Sequence, residues 1–303
     1  MKTYMVFDFG GTSIKYAVMD EEANKLANGK FPTPKEGLET FLKRLCTIVE
    51  EYSETYKLQG IALSSPGAVD IKTGVIGGAS AIPYINEESL TDHLKKMSGL
   101  PVSVENDANC AALAEGWRGA AKDADYYICI VIGTGIGGSI VLNRSILRGA
   151  SLHGGEFGYM IMGGENIEGK DPLQSTWSLS TSTNALVRAV ERKKSLEIGS
   201  LDGEEVFRMA KAGDPIAQEM ISQFYKKLAI GIYNLKYALD PQKILIGGGI
   251  SKRREVIEGI NQELALLKDN TSTLQIEVEA CQFDNDANLI GALFHYLRTE
   301  WRK

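Results

Sequence analysis

Residues Met5 to Lys15 read M-V-F-D-F-G-G-T-S-I-K, and this stretch decides the fold. An apolar alternating run (Tyr4, Val6) ends at Asp8, a Gly-Gly pair follows, and Ile14 to Val18 resumes a strand pattern. That order predicts a tight β-hairpin. Its turn is suited to chemistry. Gly10 and Gly11 allow positive φ and close approach of backbone N–H groups to a phosphate, Thr12 adds a hydroxyl donor, and Asp8 can hold a hydrated Mg²⁺. Taken alone, the same letters also fit an ordinary β-turn beside a charged residue, because short glycine motifs are common.

A second copy favours the functional reading. Tyr126 to Ile132 is a nearly all-apolar strand, Gly133-Thr134-Gly135-Ile136-Gly137-Gly138 is a second glycine turn, and Ser139 to Leu142 is a second outgoing strand. Two such units, about half a chain apart, are the trace of a duplicated βββαβα core in which two domains face each other and both turns grip the phosphates of one nucleotide. No Lys-Ser or Lys-Thr follows the second turn, so it is not a Walker A loop, and neither turn opens a helix as a dinucleotide-binding turn does.

The totals narrow the partners. At 303 residues the chain can bury two cores, and 44% hydrophobic with 24% charged residues is ordinary for a soluble globular protein. A net charge of −6 disfavours nucleic acid and anionic membranes, which leaves a small molecule as the expected partner. The longest apolar run is far too short to span a bilayer, and the N-terminus enters a core strand with no signal peptide, so a cytoplasmic protein is expected. Cys46, Cys110, Cys129 and Cys281 form no Cys-x-x-Cys pair, which fits reduced thiols rather than disulfides or a structural zinc site.

Along the chain, apolar residues from Leu38 to Tyr52 fall at helical spacing before a strand at Gly60 to Leu63. Ser64-Ser65-Pro66-Gly67-Ala68-Val69-Asp70 then breaks the strand, either as a plain Pro-Gly turn or as small residues that let a polar ligand lie against the backbone. A helix over Asn86 to Met97 and a strand over Pro101 to Glu105 lead to Glu105-Asn106-Asp107-Ala108-Asn109 and a helix over Cys110 to Trp117. So many polar side chains at a strand end are costly unless they bind something. Either Asn106 or Asp107 can cap the helix; alternatively Asp107 is a general base beside a substrate hydroxyl that Asn106 orients. The glycines around Glu156, from Arg148 to Tyr159, suggest a loop packed on a ligand, with Glu156 accepting sugar hydroxyls. His153 and Glu156 have no third partner at metal-ligand spacing. Gly163 to Leu173 reads as polar and irregular. Asp214-Pro215 opens a long helix that closes at Asp240-Pro241, Lys243 to Ile246 is a strand, and Gly247-Gly248-Gly249 is a turn where backbone can flatten against an adenine or ribose. Ile276 to Ala280 is the last strand and Asp286 to Leu297 a terminal helix in which Gly291 and Ala292 permit close packing.

These stretches together resemble the ROK family (repressor, open reading frame, kinase) of the actin-like ATPase superfamily, over nearly the whole chain. Asp8-Phe9-Gly10-Gly11-Thr12 with Lys15 matches the first phosphate motif, Gly133 to Gly138 the second, and Gly247-Gly248-Gly249 the adenosine turn. Ser65 to Asp70 resembles the family's sugar-site turn, with Ser65 and Gly67 in it. Glu105 to Asn109 matches the catalytic segment, in which the Asp is the base and the Asn binds sugar, and Gly155-Glu156-Phe157-Gly158 the sugar-binding Gly-Glu-x-Gly. The resemblance implies an α/β, ribonuclease H-like duplicated fold of two domains with a cleft between them. The expected division is residues 1–117 with 285–303 in a small domain and 118–284 in a larger one.

It also implies ATP-dependent phosphorylation of a hexose, usually at the 6-hydroxyl. In that reading Asp107 accepts the hydroxyl proton, Asn106, Glu156 and either Asn109 or the Ser65 turn hold the ring, and Asp8 organises Mg²⁺. Gly10 to Thr12 and Gly133 to Gly138 donate N–H groups to the phosphates. Most members carry a His after Glu-x-Gly and a Cys-rich zinc loop; here Tyr159 replaces the His and Gly163 to Leu173 holds no Cys, as in the zinc-free branch. Leu152 stands where the family usually has Gly. The expected substrate is glucose or a β-glucoside, with N-acetylmannosamine as the alternative, and a homodimer is the common assembly in the family. A ROK-type repressor would need an N-terminal helix-turn-helix, which a strand beginning at Tyr4 displaces. A non-catalytic sugar sensor would not need Asp107, Asp8 and both phosphate loops.

Overall fold

The computed structural model describes residues 1–78, 80–163, 175–268, 274–284 and 286–300. These form two compact units. One holds Met1–Gly119, Arg148–His153 and the chain from Asp286 onward, and the other Ala120–Leu147 and the chain between Gly154 and Asp286.

The first unit is built on β1 (Thr3–Phe9), β2 (Ser13–Asp20), β3 (Lys25–Pro32), β4 (Leu58–Ser65) and β7 (Val102–Asn106), in the order β3-β2-β1-β4-β7. The first three are antiparallel neighbours, whereas β4 and β7 run parallel to β1. All seven residues of β1 are buried, although their alternation reads as a strand with one wet face. The cause is helical cover on both sides: Phe9 meets Phe41 of α1 (Leu38–Ser53) edge-on at 5.0 Å, and Tyr4 meets Tyr296 of α9 (Ala287–Glu300) at 5.3 Å. Gly291 of α9 lies so close to α3 (Asp107–Arg118) that an added Cβ would stand 1.8 Å from the Cys110 carbonyl oxygen. The expectation of close packing at Gly291 is met. Between β4 and β7 lie the short pair β5 (Ala68–Val69) and β6 (Ile76–Gly77) and the helix α2 (Leu90–Ser98). That helix starts at Leu90 rather than Asn86, because Ser89 caps it and a 3-10 turn over Pro83–Ile85 precedes it.

The second unit repeats the plan with β8 (Tyr126–Ile132), β9 (Ile136–Leu142), β10 (Ser145–Ile146), β11 (Lys243–Gly247) and β12 (Glu279–Ala280), in the order β10-β9-β8-β11-β12. Again the first three are antiparallel and the last two parallel to the first. The duplication expected from two glycine turns is therefore present in the strand order. Its helices are α4 (Trp177–Thr181), α5 (Thr183–Lys193), α6 (Gly203–Lys211), α7 (Pro215–Leu239) and α8 (Arg254–Leu267). Asp214 caps α7, its side chain accepting from the Ala217 N–H, and Asp240 ends it in the left-handed conformation, as the two Asp-Pro pairs imply. The last strand is only Glu279–Ala280, shorter than Ile276 to Ala280; Ile276 and Val278 are still buried in the core. The expectations for the Gly163 to Leu173 stretch fall largely on 164–174, outside the described residues.

Candidate active site

In the first unit the strand registers assemble the site. Lys15 stands opposite Asp8, Asp8 opposite Ser64, and Ser64 opposite Glu105, so one row of polar residues crosses four strands; Ser65 and Asn106 form the next row between β4 and β7. This row lies at the carboxyl ends of β1, β4 and β7, where open parallel sheets place their ligands.

The turn between β1 and β2 is held by Thr33: its hydroxyl donates to the Gly10 carbonyl at 2.6 Å and its N–H to the Thr12 carbonyl at 3.0 Å. Neither Gly10 nor Gly11 takes a positive φ. What demands glycine at position 10 is close approach, since a Cβ there would lie 2.7 Å from the Ser13 carbonyl oxygen. The Gly10 N–H donates to the Ser13 carbonyl at 3.1 Å, so of the three N–H groups expected to meet phosphate it is spent within the turn, whereas those of Gly11 and Thr12 take no part in this pinning.

Asp8 is buried, and Ser64 Oγ (2.9 Å) and Asn288 Nδ2 (3.0 Å) both donate to its Oδ1. Burial pushes its carboxyl above the ordinary value, while the two hydrogen bonds and Lys15 oppose that rise. Since both donors use Oδ1, Oδ2 is the oxygen available to a hydrated cation. A single carboxylate oxygen with water completing the shell suits Mg²⁺, so the residues present fit that ion.

Asn106, not Asp107, caps α3: its Oδ1 accepts from the Asn109 N–H at 3.1 Å, and its Nδ2 donates to the Gly67 carbonyl at 3.0 Å. The amide thus ties the Gly67 turn (φ 101°) to the start of the helix. Asp107 is then the first helical residue, and its Oδ1 accepts from the Ala108 N–H at 2.8 Å. Ser65 is fully buried, with its hydroxyl on the Pro66 carbonyl at 3.2 Å. Glu105, also fully buried, accepts from the Asn106 N–H (2.8 Å), Asn109 Nδ2 (3.1 Å) and both arms of Arg148, and His295 Nδ1 stands 3.6 Å away. Burial alone would push the Glu105 carboxyl up, but Arg148, His295 and the Asn106 N–H hold it below the usual carboxylate range. Beside these acids, burial drives the Cys110 thiol far up, so it stays uncharged.

The second unit carries the other predicted residues. Only Gly133 to Gly135 form the turn, where the Gly133 N–H meets the Gly135 carbonyl at 2.9 Å; Gly137 and Gly138 lie inside β9. The need for glycine at 138 comes from the Glu156 turn, since a Cβ there would sit 2.3 Å from the Phe157 ring. Reciprocally, a Cβ on Gly158 would stand 2.1 Å from the Ile136 carbonyl oxygen. The second glycine motif and the Gly-Glu-Phe-Gly turn are thus one packed assembly. Glu156 is half-buried within it, and Tyr159 is 65% exposed. Gly247 ends β11, and Gly248 takes a positive φ of 89° with its Cβ position 2.1 Å from the Ile132 carbonyl oxygen.

Gly133, Thr134 and Gly249 line a cavity of about 390 Å³, within the roughly 300–1,000 Å³ common for small-molecule sites. Its remaining walls include Thr183 and Asn184 at the start of α5, Gly203 at the start of α6, and Phe207, with Arg253 lying 4.8 Å over that ring. Asn288, His295, Phe207 and Arg253 carry no role in the sequence reading, and Ser64 and Arg148 enter it only as the first residues of two candidate ligand loops. Asn288 lies 280 positions from Asp8, and no local spacing marks it.

A family model described as the ROK family matches residues 4–298. The chain belongs to the ROK family. It is 35% identical to a β-glucoside kinase of Listeria innocua over 98% of both chains. Among solved structures, a ROK family protein from Streptococcus pneumoniae in complex with sucrose shares 36% identity with a TM-score of 0.87, covering 99% of this chain and 100% of that one. A ROK glucokinase from Streptomyces griseus in complex with glucose and AMPPNP shares 28% identity with a TM-score of 0.81, covering 96% and 98%. These relatives make the ROK chain an ATP-dependent sugar kinase with the actin-like ATPase fold. Among the described residues no helix is long and apolar enough to cross a membrane, and no three His, Cys, Asp or Glu side chains gather as a metal site.

Proposed function

We propose that this ROK kinase transfers the γ-phosphoryl group of ATP to the 6-hydroxyl of a glucose-configured sugar, free or as a β-glucoside. The observation that carries the choice of sugar is the likeness to a β-glucoside kinase along 98% of both chains. The similar protein held with sucrose supports a subsite with room for a second ring.

Asp107 accepts the hydroxyl proton as the sugar oxygen bonds to the γ-phosphorus and ADP departs. With Asn106 already capping α3, Asp107 is spared that duty, which favours the catalytic role. Asn106 keeps one amide hydrogen beyond its bond to Gly67 for the sugar, and Asn109, Glu156, Tyr159 and the Ser65 to Gly67 turn complete its holders. Backbone N–H groups of Gly11, Thr12, Thr134 and Gly135 meet the phosphates, with Lys15 adding charge, while those of Gly10 and Gly133 donate within their own turns. The cavity of the second unit, bounded by Gly249, receives the adenosine. Mg²⁺, when held through water on Asp8, offsets phosphate charge.

A coupled ADP-release assay over glucose, β-glucosides and N-acetylmannosamine, with the product's phosphate located by NMR, tests the reading. The highest kcat/KM is expected for glucose or a β-glucoside, with phosphate on C6. A preference for N-acetylmannosamine would transfer the assignment to that sugar, and no ADP release with any of them would sink it.

A further inference from the structure

Arg148 opens the stretch Arg148–His153, which belongs to the first unit although its chain neighbours Leu147 and Gly154 belong to the second. Its guanidinium grips Glu105 in a fork, Nη1 on Oε1 at 2.9 Å and Nη2 on Oε2. The same Oε1 takes the Asn106 N–H and Asn109 Nδ2. Glu105 has no exposed surface, and His295 Nδ1 stands 3.6 Å from its Oε2. One buried carboxylate therefore collects the two asparagines that bracket Asp107 and the start of a separate chain stretch. That stretch includes Leu152 at φ 64°, a left-handed backbone that a bulky residue keeps only where its surroundings impose it. A neutral amide at position 105 would have one acceptor oxygen and would turn donor hydrogens toward the guanidinium.

We propose that Arg148, acting through Glu105, is a positioning residue for sugar phosphorylation: the fork fixes Asn106 and Asn109 on either side of Asp107. The inference rests on the reading of those asparagines as sugar holders and of Asp107 as the base. Arginine suits this task where lysine does not, because its planar fork holds both carboxylate oxygens at once and thereby sets the carboxylate's rotation. That rotation decides where Oε1 meets the Asn109 amide.

Two variants test it, Arg148→Lys and the double variant Glu105→Gln/Arg148→Met. Both are assayed with the sugar that the wild-type enzyme phosphorylates best. Arg148→Lys keeps the positive charge and is expected to melt near wild type. Its kcat/KM for sugar is expected to fall about tenfold or more while the KM for ATP changes less than about twofold. The double variant removes both buried charges, so no ion is left unpaired, and its sugar kcat/KM should stay depressed by a similar factor. Wild-type kcat/KM in either folded variant would reduce the pair to charge neutralisation and overturn the proposal. A KM for ATP that rises in step with that for sugar would do so too, because it would mean general loosening, as would failure of both variants to fold. A wild-type enzyme that phosphorylates no sugar would instead defeat the functional reading itself.

Discussion

Replacing Asp107 with Asn separates catalysis from helix capping. The α3 cap is Asn106, whose Oδ1 receives the Asn109 N–H, so Asp107→Asn leaves it untouched. The new amide oxygen can still accept from the Ala108 N–H, as the carboxylate does at 2.8 Å. What stability loses is a negative charge in the first turn of a helix, about 0.3–1 kcal/mol. On the proposed role, the change removes the proton acceptor, for which kcat should fall roughly 10²- to 10⁴-fold, or about 3 to 5 kcal/mol of barrier. The two costs differ several-fold, and urea unfolding and steady-state ADP release read them separately. Sugar affinity should change much less than turnover, because the amide still hydrogen-bonds a hydroxyl. A variant with near-normal kcat on a confirmed sugar would remove Asp107 from the chemistry.

Gly291→Ala, a change that ordinarily strengthens a helix, should here destabilise the protein by about 3 kcal/mol in urea unfolding, because the new Cβ would stand 1.8 Å from the Cys110 carbonyl oxygen. A neutral or stabilising result would contradict the contact between α3 and α9. His295 is buried, and burial lowers its pKa more than the nearby Glu105 raises it. The unfolded chain therefore binds the extra proton, and stability should begin to fall as pH drops through the unfolded value of about 6.5. Glu105, whose carboxyl is held low, adds its own loss only below the reference value of about 4.3. His295→Gln should flatten the dependence between pH 7.5 and 5.5; identical slopes in both proteins would show that His295 is not its source. Because Tyr159 stands at the usual zinc-binding His, elemental analysis of the purified enzyme should find no stoichiometric zinc, while turnover should require Mg²⁺ with ATP; about one tightly bound zinc per chain would overturn this.

The parts of the site that sequence displays are those where backbone geometry needs a particular residue. Gly10, Gly138, Gly158 and Gly248 each sit where a Cβ would strike backbone or a ring, so such needs surface as glycine clusters in the chain. The helix-opening Asp214-Pro215 and the cap Asn106 are local for the same reason: their partners lie three residues away. The strand pairing that aligns Asp8, Ser64 and Glu105 is different in kind. It depends on register between strands more than 40 residues apart, and a one-residue slip would turn each side chain to the opposite face. Asn288 and His295 reach the site only because α9 returns to the first unit, and Phe207 and Arg253 meet across helices that no short spacing links. Strand β3 has the polar, mixed composition of an edge, and only its ladder with β2 identifies it.

The return of α9 also sets an order of assembly. Strands β1, β4 and β7 leave the ribosome well before the helix covering one face of their sheet, which begins only at Ala287, after every element of the second unit. At about 5–20 residues per second, the interval between Gly119 and Asp286 lasts on the order of 10 to 30 s. Throughout it the aromatic side of β1 lacks Tyr296, and Asp8 lacks Asn288. Apart from Arg148–His153 the second unit is one continuous stretch, and all of it precedes α9 in the chain. The sheet of the first unit then waits for α9, and only with that helix does Asp8 acquire the Asn288 hydrogen bond.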